Sequence, residues 1–401
     1  MHRASEEKDL PPSFSHQVNT LPFSGLHLSR QAISVLCLFT LCATLAAGLW
    51  PFHSPANEVT WAENENALRF GDHGTALSSR TFVFGGYGGP SCSLEVWLEP
   101  ALTWTTGSVL AFYGSSDTRQ FSMQQAFTDL VLQRAVEDPG HPKRQTEIRI
   151  DDVFRRRQAF ITVTSDGQNT SVYLDGHLVT TSPGFGLSVS DLAGQLILAN
   201  SPLRGHSWPG QLRGLAIYGS EFSSQQVVRH YEDWTQRQEP ALVKRERARA
   251  LYLFNEHGGK IIHNAIGSGI DLDIPKNYLV VHQLLLEPPW QEFHTQQSYL
   301  KNCVINIAGF VPLGFFFSLY FTAVCKMKRA SLAAIVLGGA VSLVIEFLQA
   351  YLPTRYSGMT DVITNTLGTC VGVVLHHTGV LLLARRPVLN RRARHSGSPP
   401  Q

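Results

Sequence analysis

Residues 208–234 read WPGQLRGLAIYGSEFSSQQVVRHYEDW. Gln211–Tyr218 is short and apolar-rich in the manner of a strand. From Ser223 to Trp234 the period changes, and Val227, Val228, Tyr231 and Trp234 fall near one face of a helix. Upstream, Ser93-Leu94-Glu95-Val96-Trp97-Leu98 and Ala159–Thr164 alternate as half-buried strands do, and Gln195–Ala199 adds another run. Asp166-Gly167 and Asp175-Gly176 each separate two such runs, a strong hairpin signal. Strands recur between about 60 and 235 without intervening helices, which argues for an all-β sandwich or jelly roll.

The rest of the chain has another character. Of 401 residues only 64 are charged, or 16%, against about 25% in a typical soluble domain. With 43% apolar residues the chain is not disordered, and a formal net charge of +2 argues against a cationic nucleic-acid binder. No charge occurs between Arg30 and Glu58, between Lys301 and Lys326, or between Asp361 and Arg385, and Glu346 stands alone between Ala330 and Leu352. These gaps predict four spans, at about 32–50, 303–325, 330–352 and 362–384, each long enough to cross a hydrocarbon core of ~30 Å. The first can also be read as a cleaved signal core. Its long leader and the lack of a small-x-small site favour a retained anchor.

Orientation follows from basic residues beside the spans. Arg30 precedes the first, Lys326, Lys328 and Arg329 separate the second and third, and five arginines from Arg385 to Arg394 follow the fourth. Both termini are therefore expected in the cytoplasm of a multi-pass plasma or inner membrane protein, with residues about 52–301 outside. That exported part holds 21 basic and 26 acidic residues. Cys92 is its lone cysteine, so no internal disulfide is expected there. Asn169-Thr170-Ser171 is an N-glycosylation acceptor pattern that matters only in a host that glycosylates. The fold class expected is a multidomain membrane protein, with a four-span α-helical membrane region and an exported all-β jelly-roll sandwich. Residues 1–31 read as a cytoplasmic leader, 58–240 as the jelly roll (295 at its longest), 241–301 as a connector with an edge strand, 302–384 as the main membrane region and 385–401 as a basic cytoplasmic tail.

Leu68-Arg69-Phe70, SLEVWLEP at 93–100, VYLDGHLV at 172–179 and the 208–234 stretch resemble the laminin-G-like, concanavalin A-type jelly roll over roughly 175 residues. The resemblance implies a binding module for sugars or proteins, in some members with calcium. Asp72, Asp117, Asp151 and Asp152 are loop carboxylates that calcium would use, solvated loop charge being the plainer reading. Trp104, Tyr113 and Trp208 are aromatics that would stack on a sugar if exposed and fill the core if not.

Polar groups in hydrocarbon are costly and point to function. Glu346 and Gln349 share a face of the third span. Asp361, Asn365, Gly368 and Gly372 form one stripe on the fourth, and Asn302, Asn306 and Gly309 one on the second. With Arg355 in the intervening loop, Asn306, Glu346, Gln349, Arg355, Asp361 and Asn365 make a candidate polar cluster toward the outer side. Gly309, Gly314, Gly368 and Gly372 are candidate helix-packing glycines, the last two as GxxxG. Two readings stand side by side: hydrogen-bonded glue between helices, with a Glu346–Arg355 pair, or an outward-facing pocket for an envelope or lipid-linked ligand. His376 and His377 point apart by about 100° and form no evident metal pair.

Asn306-x-x-Gly309-Phe310-x-Pro312-Leu313-Gly314, followed by Glu346-x-x-Gln349, Pro353, Arg355, Asp361, Asn365, Gly368 and Gly372, resembles the VanZ-like family, which is named after an accessory factor in glycopeptide (teicoplanin) resistance. The first span resembles that family's first helix, with the jelly roll inserted after it. The expected function is an envelope membrane protein whose jelly roll binds glycan or protein and whose membrane module contacts lipid or a lipid-linked precursor, linked through the resemblance to glycopeptide tolerance. An intramembrane enzyme using Glu346 or Asp361 as general acid/base is the alternative, and a small transporter or channel subunit the third. H-E-x-x-H, G-x-S-x-G, Walker A and Rossmann patterns do not occur, so the balance favours a binding protein with no cofactor beyond that calcium alternative.

Overall fold

The computed structural model describes residues 29–395 except 84–88, 115–117, 137–143, 203–206, 237–245, 247, 268, 282–284 and 293–296. Most of the expected leader, the end of the tail and Asp117 lie outside the described residues. The chain forms two compact units. One comprises Pro51–Leu285 with Gln349–Tyr356, and the other holds the N-terminal helix, Leu286–Leu348 and the residues from Ser357 onward.

The first unit is a sandwich of two eight-stranded sheets. One sheet runs β1 (Val59–Trp61), β2 (Leu68–Phe70), β13 (Gly210–Tyr218), β4 (Cys92–Pro100), β9 (Ala159–Ser165), β10 (Asn169–Leu174) and β11 (His177–Pro183), with β14 (Ala250–Tyr252) also on β13. The other runs β15 (Ile261–Ile262), β16 (Leu272–Asp273), β3 (Ala76–Ser78), β12 (Gln195–Leu198), β5 (Thr106–Gly114), β6 (Thr118–Ala126), β7 (Asp129–Val136) and β8 (Arg144–Ile150). Inward-facing residues of both sheets, among them Leu94, Val96, Phe112, Ile161, Leu196 and Leu215, make one core. The Asp175-Gly176 hairpin forms as its composition requires. Both residues have positive φ (51° and 81°), the type I′ geometry that matches strand twist.

β14 to β16 lie in the stretch read as a connector, and they extend the sheets to Asp273. The chain's entry into the sandwich meets its exit. Ala56 bridges Asn277, and the Asn57 amide donates to the carbonyls of Thr75 and Pro275, both at 2.8 Å. The predicted helix is α2 (Ser224–Gln236). It covers the outer face of β4 and β13 through a second apolar cluster that includes Phe160, Tyr218, Val227 and Trp234. This is why β4 is buried on both faces although its sequence alternates.

The second unit holds α1 (Arg30–Leu49), a short α3 (Pro289–Glu292), α4 (Gln297–Ala323), α5 (Ala330–Gln349) and α6 (Met359–His395). Among the described residues, length and hydropathy single out three segments that can cross a membrane: Arg30–Leu49, Tyr299–Ala323 and Ala330–Gln349. The stretch expected as a fourth span, 362–384, lies inside α6 and runs into residues whose side chains lie outside the described ones.

α4 and α6 approach through glycine. A Cβ on Gly314 would strike the Thr369 carbonyl, one on Gly368 that of Ile307, and one on Gly372 that of Val311. Gly309 differs from the expectation, because a Cβ there meets open space. Its side of α4 faces away from the seam. Gly372→Ala is therefore expected to lower stability by about 1–3 kcal/mol through overpacking, whereas Gly309→Ala should be neutral or slightly favourable through helix propensity. Thermal unfolding of the two purified variants decides it, and equal midpoints would refute the close seam.

Candidate functional site

The predicted polar residues of the helices and of the loop after α5 make the following hydrogen bonds among the described residues. The Asn306 amide on α4 donates to Asp361 Oδ1 on α6 at 2.7 Å. The Asn365 amide donates to Ser342 Oγ on α5 at 2.9 Å, and its own Oδ1 is buried without a hydrogen bond among the described residues. Glu346, 1% exposed, accepts the Gly358 N–H at 2.8 Å. Gly358 stands immediately before α6, so this carboxylate lies where the helix dipole favours negative charge. Gln349 closes α5 and is buried, and its carbonyl accepts the Leu352 N–H at 2.9 Å. Arg355 lies in the following loop, its N–H on the Leu352 carbonyl at 3.0 Å. The stripe on α6 thus serves both neighbours, with Asp361, Gly368 and Gly372 toward α4 and Asn365 toward α5.

Several partners were not singled out in the sequence. Ser342 lies four residues before Glu346 on the same helical face, a signal that could have found it. Ser357 could not have been found that way. It joins the 286–287 segment by pairing across the chain, its Oγ accepting the Leu286 N–H at 3.2 Å and its carbonyl accepting the Glu287 N–H at 3.0 Å. His376 and His377 bind different helices, at Ser318 Oγ (2.9 Å) and Ser331 Oγ (2.7 Å), and so do not act as a pair.

In the sandwich the calcium candidates Asp72, Asp151 and Asp152 are exposed. Asp152 pairs with Arg155 at 2.7 Å, and no group of three or more His, Cys, Asp or Glu fit to hold a metal occurs among the described residues. Trp208 is core, its indole donating to Gln125 Oε1 at 2.7 Å, and Tyr113 is half-buried. Trp104 is 74% exposed and stands beside Phe127, with ring centres 5.9 Å apart.

Two carboxylates of the SLEVWLEP strand, Glu95 and Glu99, organise more than any of these. Glu95 is fully buried beneath α2. Its Oε2 accepts from Tyr218 Oη at 2.7 Å and Trp234 Nε1 at 2.9 Å, while Oε1 lies 2.9 Å from His230 Nδ1. Burial and then the Glu95 charge push the Tyr218 phenol well above its ordinary range, which keeps it a donor. Glu99 meets Arg157 and Arg213, both at 3.0 Å, and Gln158 at 3.2 Å. Burial alone would raise the Glu99 pKa, but these three donors together lower it, so the pairs persist into mild acid. Glu95, Trp97 and Glu99 share one strand face by alternation, and that pattern was present in the sequence.

The sequence family described as VanZ/LLP1 matches residues 254–382, and that described as the concanavalin A-like lectin/glucanases superfamily matches residues 71–228. The chain thus combines a VanZ-like region with a laminin-G-like, concanavalin A-type sandwich. Similar solved structures include the receptor-binding domain of botulinum neurotoxin D (11% identity, TM-score 0.34, covering 45% of this chain and 47% of that one). Another is the binding domain of botulinum neurotoxin DC in complex with rat synaptotagmin II (12%, 0.33, 45% and 46%). A third concerns botulinum neurotoxin type C, whose cell entry is described as dependent upon two ganglioside molecules (13%, 0.33, 45% and 46%). The chain spans less than half the length of these proteins. No curated protein matches it.

The His230 contacts carry a pH signature. Burial depresses its pKa, yet hydrogen bonding and charge from Glu95 and then Glu246 outweigh burial and raise it above 6.5. Its stabilising contribution is complete below about 6.5 and is lost as pH rises through the folded value. The unfolding midpoint of the sandwich should therefore fall as pH increases above about 6.5, and His230→Gln should flatten that fall. Tryptophan-fluorescence melts across pH test this, and identical slopes would contradict it.

Proposed function

We propose that the chain is a cell-envelope membrane protein whose sandwich faces outward and binds glycan or protein, and whose VanZ-like helices hold a polar site for a lipid or lipid-linked precursor. The observation that carries the membrane part is Glu346: a carboxylate almost without exposed surface, in a helix otherwise free of charge, bonded to the backbone where α6 begins. Such a group is expensive in hydrocarbon unless it is used. The basic residues flanking the apolar segments support both termini in the cytoplasm. The family likeness of the sandwich supports a binding module, and that of the helices supports a link to glycopeptide tolerance.

Glu346→Gln keeps the shape and the acceptor oxygen while removing the charge. In cells exposed to teicoplanin it should reduce the tolerance that the wild-type protein confers, at equal expression and unchanged melting. Full tolerance in the variant would leave Glu346 a purely structural tie. Protease added outside intact spheroplasts should cut within 52–301 and spare tags at both termini, and a protected sandwich would refute the orientation.

A further inference from the structure

The sheet that carries α2 has a notch on its outer face. Along one edge of β13, β2 pairs with Gly210–Leu212 and β14 with Leu215–Ile217, which leaves Arg213 and Gly214 between two partners. On the opposite edge the register with β4 shifts at the same place, because Leu212 faces Leu98 and Gly214 faces Trp97. Arg213 is thus the extra residue of a β-bulge, a device that re-aims a side chain and recurs beside binding sites. Its guanidinium is held between Glu65 at 2.7 Å and Glu99 at 3.0 Å, and stands over the Trp97 ring at 5.7 Å from its centre.

The notch is a cavity of about 520 Å³, within the range of small-molecule sites. Trp97, Trp234 and Leu253 supply its apolar wall, and Arg213, Glu65 and Asn66 its polar one. Gly214 makes room for the Trp234 ring, which a Cβ at that position would strike. Asn64 and Asn66 make no side-chain hydrogen bond among the described residues, so two amides stand ready with both donors and acceptors. Arg213 covers the Trp97 ring and Trp234 is 3% exposed, so the indoles offer edges, and the uncommitted amides beside them are the chemistry that meets the hydroxyls of a pyranose. The cavity's guanidinium is already matched by two carboxylates, which disfavours a ligand that brings its own negative charge.

We propose that this notch is a saccharide-binding site selective for uncharged sugar rings. The assignment rests on the reading of the sandwich as a glycan binder and adds its location and its class of ligand. The full-length protein in lipid nanodiscs is applied to an array of neutral, N-acetylated and sialylated oligosaccharides. Neutral or N-acetylated members should be retained over sialylated ones. Asn66→Ala should weaken that binding roughly tenfold through a lost hydrogen bond. Thr235→Trp, at an exposed position on the rim in the last turn of α2, should abolish it with unchanged melting. Undiminished binding by Thr235→Trp would overturn the site while leaving the glycan-binding reading intact. Preference for sialylated glycans would overturn the ligand class, and failure of the wild type to retain any saccharide would overturn both readings.

Discussion

One buried carboxylate governs how the outer half of the sandwich is arranged. Glu95 has no exposed surface, and a charge withdrawn from water is tolerable only where donors surround it. Those donors come from two elements: Tyr218 on β13, and His230 and Trp234 on α2. The helix is therefore bound to the sheet by directional bonds as well as by apolar contact. Directional bonds fix rotation, which grease alone does not. With the Trp234 N–H committed to Glu95, the far edge of its ring is carried over Gly214, beside the bulge at Arg213.

The helical unit uses a contrasting principle. α4 and α6 meet where side chains are missing, so that carbonyl oxygens fill the places a Cβ would take. Polar groups are then distributed along the same stripe, each to a particular neighbour, as with Asn306 to Asp361 and Asn365 to Ser342. Without a hydrophobic driving force between helices in lipid, close packing and such hydrogen bonds are what remains to select one arrangement. Glu346 belongs to the same logic, its carboxylate holding the backbone at Gly358 where α6 begins.

Features that depend on local pattern were legible in the sequence. Strand alternation, the Asp-Gly hairpin, the period change into α2 and the small-residue stripe on α6 all appear where pattern placed them. What pattern could not give was which face of a strand is covered. Glu95 and Trp97 alternate with apolar residues as a solvated face does, and only the helix folding back over them turns that face into an interior. The bulge at Arg213 was equally hidden, because it arises from the mismatch between β13 and its partners on both edges and not from its own residues. Gly309 shows the opposite failure: a correct stripe whose end points away from the partner helix.

The meeting of Ala56 with Asn277 has an architectural implication. A domain whose first and last strands splay apart must be accommodated by whatever chain it interrupts. Here the two connecting strands are zipped to each other, with Tyr278 donating its N–H to the Pro55 carbonyl at 3.0 Å. The sandwich is in that sense a cassette, whose first and last connecting segments leave it side by side. Its acquisition or exchange would ask little of the spacing between the two segments that flank it.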